Sequence, residues 1–169
     1  MDSGTADGNW VPAPLDVARI PARALVTVTA KGQDQPGMGS GRYGVDCRAV
    51  ADASGVAGRR YAFLIRKDGR EATLTKTSPD QGVQELAESG PLRSIRPDKA
   101  NKVQIACEDE VGGTKVRLRL WVNGHRLIDT TDARRPLGPG RVGLEAAPGG
   151  GDEPAMSAAF DDLAVCKID

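Results

Sequence analysis

From Ala24 onward, apolar and polar positions alternate with a period of two in one short segment after another, with glycine- and proline-rich breaks between them. That period puts successive side chains on opposite faces of a strand, and the β-branched content favours the same reading. ALVTVTA sets Leu25 or Val26 on one face with threonines between. In RYGVDCRAV, Tyr43, Val45 and Cys47 oppose Arg42, Gly44, Asp46 and Arg48. RYAFLIRK groups Tyr61, Phe63 and Ile65, and EATLTKT follows the Lys67, Asp68, Gly69 turn, so these segments form a meander. NKVQIACE aligns Val103, Ile105 and Cys107. KVRLRLWV gives the clearest alternation, with Val116, Leu118, Leu120 and Val122 against Lys115, Arg117, Arg119 and Trp121. RVGLEAA and SAAFDDLAVC complete the series, and only Val83 to Ser89 reads as a helical turn or two.

The break after KVRLRLWV is Asn123 and Gly124, which both accept positive φ cheaply, as a two-residue type I′ hairpin turn requires. Simple pairing across it sets Val122 opposite His125, Trp121 opposite Arg126 and Leu120 opposite Leu127. GQDQPGMGSG reads as a loop. Residues 1–22, rich in Pro, Ala, Asp and Gly, read as a loosely held arm anchored by Trp10 and Val11, and residues 23–169 as a single domain. About nine or ten strands and no covering helices predict an all-β fold, a two-sheet antiparallel β-sandwich.

Composition changes this picture little. The 21 glycines and 11 prolines suit many short strands. With 23 basic against 23 acidic residues, no long-range field argues for nucleic acid or an anionic membrane. No run approaches a membrane span, so direct membrane insertion is not expected. The opening MDSGTADGNW lacks the basic and apolar regions of a signal peptide, and it is what either a native start or the remainder after a removed anchor would look like. Cys47, Cys107 and Cys166 share no metal-ligand spacing. One bridge plus a buried thiol, or three buried thiols, both remain open.

The order YGVDCRAV, RRYAFLIRKDGREATLTK, NKVQIACED, KVRLRLWVNGHRLIDTTD, GPGRVGLEAA and GDEPAMSAAFDDLAV resembles the concanavalin A-like jelly-roll domains. The likeness is greatest to the laminin-G-like and 3-keto-disaccharide-hydrolase-like domains of bacterial, often actinobacterial, exported proteins, and it spans roughly Ala24 to Val165. It implies a jelly roll, an extracellular or cell-surface setting with the cytoplasm left open, and a place beside an anchored or multidomain partner. It also implies a Cys47 to Cys107 disulfide, because a cysteine followed by arginine and a second cysteine ending the asparagine-led strand recur in such domains.

Candidate chemistry is sparse. The laminarinase-like enzymes of this fold carry a Glu-x-Asp-x-x-Glu stretch that this chain lacks, so no catalytic residue is assigned. Glu108, Asp109 and Glu110 read as a solvated rim, with a cation or catalytic role as the alternative. His125 is the single histidine and reads as a hairpin residue against Val122, with no Gly-x-Ser-x-Gly elbow to build a triad on. Asp161 and Asp162 are candidates for calcium, no other cofactor being expected; the ordinary reading has Asp161, after the core residue Phe160, accept backbone N–H bonds. The outward row Arg117, Arg119 and Trp121, with Arg126 beside it, could stack on and hold a sugar, or could be a solvated basic covering. The expectation is a non-catalytic binding module for glycan or a protein surface, with a glycoside-processing hydrolase and a structural or assembly domain as alternatives.

Overall fold

The computed structural model describes residues 9–12, 20–33, 41–55, 57–90, 93–97, 99–148 and 156–168, with residues 9–12 described by their backbone alone. Among them are the strands β1 (Asn9–Pro12), β2 (Arg23–Gly32), β3 (Arg42–Ala51), β4 (Ala57–Arg66), β5 (Ala72–Ser78), β6 (Gly82–Ser89), β7 (Asn101–Asp109), β8 (Val116–Val122), β9 (His125–Asp132), β10 (Arg141–Ala147) and β11 (Ala158–Lys167). They form two antiparallel sheets, a six-stranded one ordered β1-β10-β3-β4-β5-β6 and a five-stranded one ordered β11-β2-β7-β8-β9. The architecture is the expected jelly-roll sandwich. Most of the loop expected at residues 32–41 and most of the arm at 1–22 fall outside the described residues.

Alternation sorts the side chains as the sequence implies. Tyr43, Val45, Tyr61, Phe63, Ile65 and Leu74 of one sheet meet Val26, Val28, Val103, Ile105, Leu118 and Leu120 of the other, all essentially without exposure. Each large apolar side chain so enclosed contributes about 1.5–3 kcal/mol.

Three expectations about the strands need correction. Val83 to Ser89 is not helical: it belongs to β6, the edge strand hydrogen-bonded to β5. Its Glu, Leu and Ala content favours helix, but main-chain pairing to β5 wins, and Glu85 and Glu88 remain exposed on an edge where charge discourages further strand addition. The strand total rises accordingly, since β6 and the short β1 within the expected arm both add to it. Across the hairpin, Val122 faces His125 and Trp121 faces Arg126, but Leu120 faces Ile128 rather than Leu127 because a bulge intervenes.

Asn123 and Gly124 have φ of 51° and 84°, the left-handed pair a type I′ turn requires. Asn123 also holds the neighbouring chain. Its amide donates to Ser94 O (2.6 Å) and to Asn101 Oδ1 (2.8 Å), and its Oδ1 accepts from Lys102 N–H (2.9 Å). Asn101 in turn donates to Tyr43 Oη (2.9 Å) in the core.

A disulfide joins Cys47 of β3 to Cys107 of β7, bridging the two sheets, whereas Cys166 is free and exposed rather than buried. Beside the bridge sits Arg48, almost fully buried and held at a φ of 55° where β3 bulges against β4. Its guanidinium donates to Leu137 O (2.8 Å) and Ala22 O (2.8 Å) and pairs with Asp109 (2.8 Å). One side chain thus ties β3 to the end of β7, to the entry of β2 and to the 133–140 loop.

A second polar knot lies within the core. Alternation along β5 turns Lys76 inward beside Tyr61, and its ammonium donates to Asp132 Oδ2 (2.7 Å), Arg134 O (2.7 Å) and Arg135 O (2.8 Å). Tyr61 donates to Asp132 Oδ2 (2.7 Å) and accepts from Leu137 N–H (2.8 Å). Burial alone would push the Asp132 carboxyl up, but the bonds from Lys76, Tyr61 and the Arg134 N–H hold it below its ordinary value of 3.8. Burial, with the Asp132 carboxylate adding to it, pushes the Tyr61 phenol well above its ordinary value.

Two stability predictions follow from these ties. The Cys47→Ser/Cys107→Ser variant is expected to lose about 4 kcal/mol in urea unfolding, the loop-closure value for a separation of 60 residues; a loss below about 1 kcal/mol would show that the bridge does not restrain the unfolded chain. Because the folded Asp132 carboxyl titrates below its unfolded value, its contribution is complete above the ordinary 3.8 and disappears as pH falls through the folded value. Asp132→Asn should therefore cost about 3 kcal/mol at neutral pH and flatten the acid limb of the stability curve. An unchanged acid limb by thermal unfolding would contradict this.

Candidate functional site

The outer face of the six-stranded sheet carries an unusual burden for a face turned away from the core. Asp46 of β3 and Glu145 of β10 both project from it, and both are buried. Arg60 of β4 reaches over β3, donating from Nε to Glu145 Oε2 (3.2 Å) and from Nη2 to Oε1 (3.3 Å), while Nε also lies 3.3 Å from Asp46 Oδ2. Its Nη1 donates to Ala57 O (3.0 Å). Gly44 lies between them because nothing larger fits: a Cβ there would stand 1.8 Å from the Phe63 carbonyl oxygen, so β3 and β4 close tightly under the ion cluster.

On the β5 side of the same face, Thr73 is 2% exposed, and its Oγ1 has no hydrogen-bond partner among the described residues. Leaving a buried hydroxyl unpaired costs about 1–3 kcal/mol, and such a group marks a position for a water or ligand oxygen. Thr75 and Thr77 continue the row with partial exposure, and Glu88 lies opposite Thr73 on β6. Toward the other end of the face, Arg42 pairs with Glu71, and Arg66 pairs with Asp68 (2.9 Å). The face therefore encloses the Asp46 and Glu145 carboxylates under Arg60 and carries a row of threonine hydroxyls on β5.

The residues expected to bind lie on the opposite surface, the outer face of the five-stranded sheet, and the structure does bring them together. Arg119 lies over the Trp121 ring, 5.1 Å from its centroid, and pairs with Glu108. Arg117 grips Asp129 in a bidentate pair (2.9 and 2.9 Å), and Arg126 adds a contact of 3.0 Å to the same carboxylate. The Arg117 bond holds the Asp129 carboxyl below its ordinary value. A ring face that would stack on a sugar is thus covered by an arginine, and the guanidinium groups already have carboxylates.

The other candidates are placed as follows. His125 is exposed opposite Val122. Phe160 packs against the core from β11, and Asp161 Oδ1 accepts the Asp162 N–H (2.8 Å) beside a bulge at which Asp162 has a φ of 53°. Thr29 donates to Asp162 Oδ2 (3.3 Å). Among the described residues, no group of three or more His, Cys, Asp or Glu side chains is placed to hold a metal ion. Glu108, Asp109 and Glu110 are each at least partly enclosed and line a cleft with Arg23, Lys115 and Arg117.

The Arg60 cluster was missed in the sequence because its members are far apart, Arg60 and Glu145 by 85 positions. The available signal was the Asp46 carboxylate between Val45 and Cys47 in the strand segment YGVDC.

With both faces defined, the comparisons with solved structures are informative. Carbohydrate-binding module CBM66 from Bacillus subtilis superposes with a TM-score of 0.64 at 16% identity, covering 95% of this chain and 83% of that one. The fold is that of the jelly-roll lectins. A legume lectin-like domain from Entamoeba histolytica gives a TM-score of 0.53 at 14% identity over 96% of this chain and 80% of its own. Galectin LEC-6 from Caenorhabditis elegans gives 0.51 at 16% identity, covering 94% and 96%. No family profile and no curated sequence matches the chain.

Arg60→Met should leave Asp46 and Glu145 buried against a lost cation and lower the unfolding free energy by about 3 kcal/mol, with Arg60→Lys recovering part of it. Denaturant unfolding of both variants checks this, and equal stability of Arg60→Met and the parent chain would show that the cluster is not an enclosed ion network.

Proposed function

We propose that the chain is a non-catalytic carbohydrate-binding module, working outside the cell or at its surface, whose seat is the outer face of the six-stranded sheet. The observation that carries the seat is the buried, unpartnered Thr73 hydroxyl, on the same outer face as the Arg60, Asp46 and Glu145 cluster. Sugar hydroxyls donate and accept at once, and the β5 threonine hydroxyls with the exposed Glu88 carboxylate of β6 suit them on both counts. The carbohydrate-binding and lectin neighbours share the fold on which such a face is built. The disulfide is in keeping with an oxidising setting.

Hydrolysis of a glycoside calls for one carboxyl acting as an acid and a second as base or nucleophile. On this face both carboxylates close on one guanidinium, Glu145 as its hydrogen-bond acceptor and Asp46 as its ion-pair partner, an arrangement for holding rather than cleaving.

The test is a panel of polysaccharides and cell-wall fragments, with binding and product release followed in the same samples. Thr73→Val removes the unpaired hydroxyl at nearly constant shape, so it should keep or raise the melting temperature while weakening saturable binding about five- to tenfold. Trp121→Ala should leave binding unchanged. Binding lost only in Trp121→Ala would move the seat to the other sheet; released product would favour the hydrolase reading, and no binding at all would overturn the proposal.

A further inference from the structure

At the end of the five-stranded sheet where β2, β7 and β8 lie side by side, a cleft of about 570 Å³ opens, lined by Arg23, Glu108, Asp109, Glu110, Lys115 and Arg117 together with Thr114. Register sets its pattern. Arg23 faces Glu108 across β2 and β7, and Glu108 faces Arg117 across β7 and β8, so a row of carboxylates on the middle strand is flanked by cations on both sides. Glu108 is already held by Arg23 (3.4 Å) and Arg119, Asp109 by Arg48 (2.8 Å), and Arg117 by Asp129 (2.9 Å). These pairs fix the walls.

The mouth is different. Glu110 and Lys115 flank the short 3-10 turn Val111–Gly113, where Gly112 and Gly113 take φ of 84° and 66°. The backbone closes the turn, Glu110 N–H donating to Lys115 O (3.0 Å) and Gly113 N–H to Glu110 O (2.9 Å). Among the described residues, the Glu110 carboxylate and the Lys115 ammonium form no ion pair within 4.0 Å, although they sit on facing sides of the same turn. A strong acceptor and a strong donor are thus presented together at the edge of a cleft whose cations and carboxylates balance. Among the described residues no aromatic or aliphatic side chain lines it, and its lining is polar and charged.

We propose that this cleft is a second saccharide site, taking the hydroxyl edge of an uncharged sugar. Charge balance disfavours uronic acids and amino sugars alike, since either would meet a like charge with no excess of the opposite one. A vicinal diol instead uses both signs, each hydroxyl donating to a carboxylate and accepting from an ammonium or guanidinium group. The volume falls within the range of small-ligand pockets. The inference rests on the glycan-binding reading, and it places a second contact on the sheet opposite the Thr73 face, so that one chain could hold a polysaccharide at separate points.

The experiment is titration of the complete, isotope-labelled chain with methyl glucoside, methyl galactoside, methyl mannoside and methyl fructoside, and in parallel with glucuronic acid and glucosamine, following backbone amide shifts. The uncharged glycosides should move amides between residues 108 and 117, and Glu110→Gln/Lys115→Met should weaken that response about tenfold while shifts near Thr73 persist. Both substituted residues flank an exposed turn, and the amide spectrum of the variant reports directly whether it folds. Shifts confined to the Thr73 face would overturn the second site and leave the proposed function standing. A cleft response to the charged sugars alone would overturn the assignment to uncharged ones. No shift at either face with any sugar, joined to a blank polysaccharide panel, would remove the glycan reading and this inference with it.

Discussion

Lys76 places an ammonium group between two packed sheets, where an unpaired charge would cost several kcal/mol and would instead open the sandwich. Its neutralisation by Asp132 sets the course of the chain that follows. The carbonyls of Arg134 and Arg135 turn inward to complete the ammonium's shell, and Tyr61, sharing the Asp132 carboxylate, catches the Leu137 N–H. Leu137 then offers its carbonyl to Arg48, which stands next to the disulfide. Loop, core and bridge are in this way one connected polar system, and every lone pair it uses is supplied by a strand or by the loop it positions.

That system separates the two outer faces by character. On the six-stranded sheet the polar groups of Asp46, Arg60 and Glu145 are enclosed, and their geometry is set by tightly approaching strands at Gly44. On the five-stranded sheet Arg126 is exposed and Arg117 partly so, the two sharing Asp129, while Arg119, over Trp121, reaches the enclosed Glu108. Exposed pairs of that sort contribute little and rearrange easily, whereas enclosed ones hold their geometry. A face that cannot rearrange holds its polar groups in fixed directions.

The strands, the meander, the Asn123-Gly124 turn and the inward rows of β3, β4, β7 and β8 were legible in the sequence, because each depends on local alternation or turn chemistry alone. The disulfide was legible only through family resemblance. β6 was misread because its composition favours helix while its strand form depends on β5. The register of Leu120 with Ile128 was missed because a bulge leaves no mark in a regular alternation. Thr73, Arg60 and Glu145 could not be grouped in advance, since nothing local tells which strands become neighbours. Trp121 drew notice as a rare aromatic among arginines, yet the carboxylates that hold those arginines, Glu108 and Asp129, come from the strands on either side of it.

The bridge between Cys47 and Cys107 also has a mechanical meaning. It closes a span of 60 residues that runs from β3 through β4, β5 and β6 to β7. Fully drawn out, such a span would add about 200 Å to the length of the chain. With the bridge intact that slack is withheld, and a pull on the two ends of the polypeptide bypasses these strands and passes through the sulfur–sulfur bond. The Arg60 cluster has Asp46 just outside the loop and Arg60 just within it, so the strand pair β3 and β4 is clamped beside the very point that bears the load. Pulled at its two ends, the molecule would therefore yield first at strands outside the bridged span, such as β11 at the edge of its sheet, while β4, β5 and β6 kept their shape.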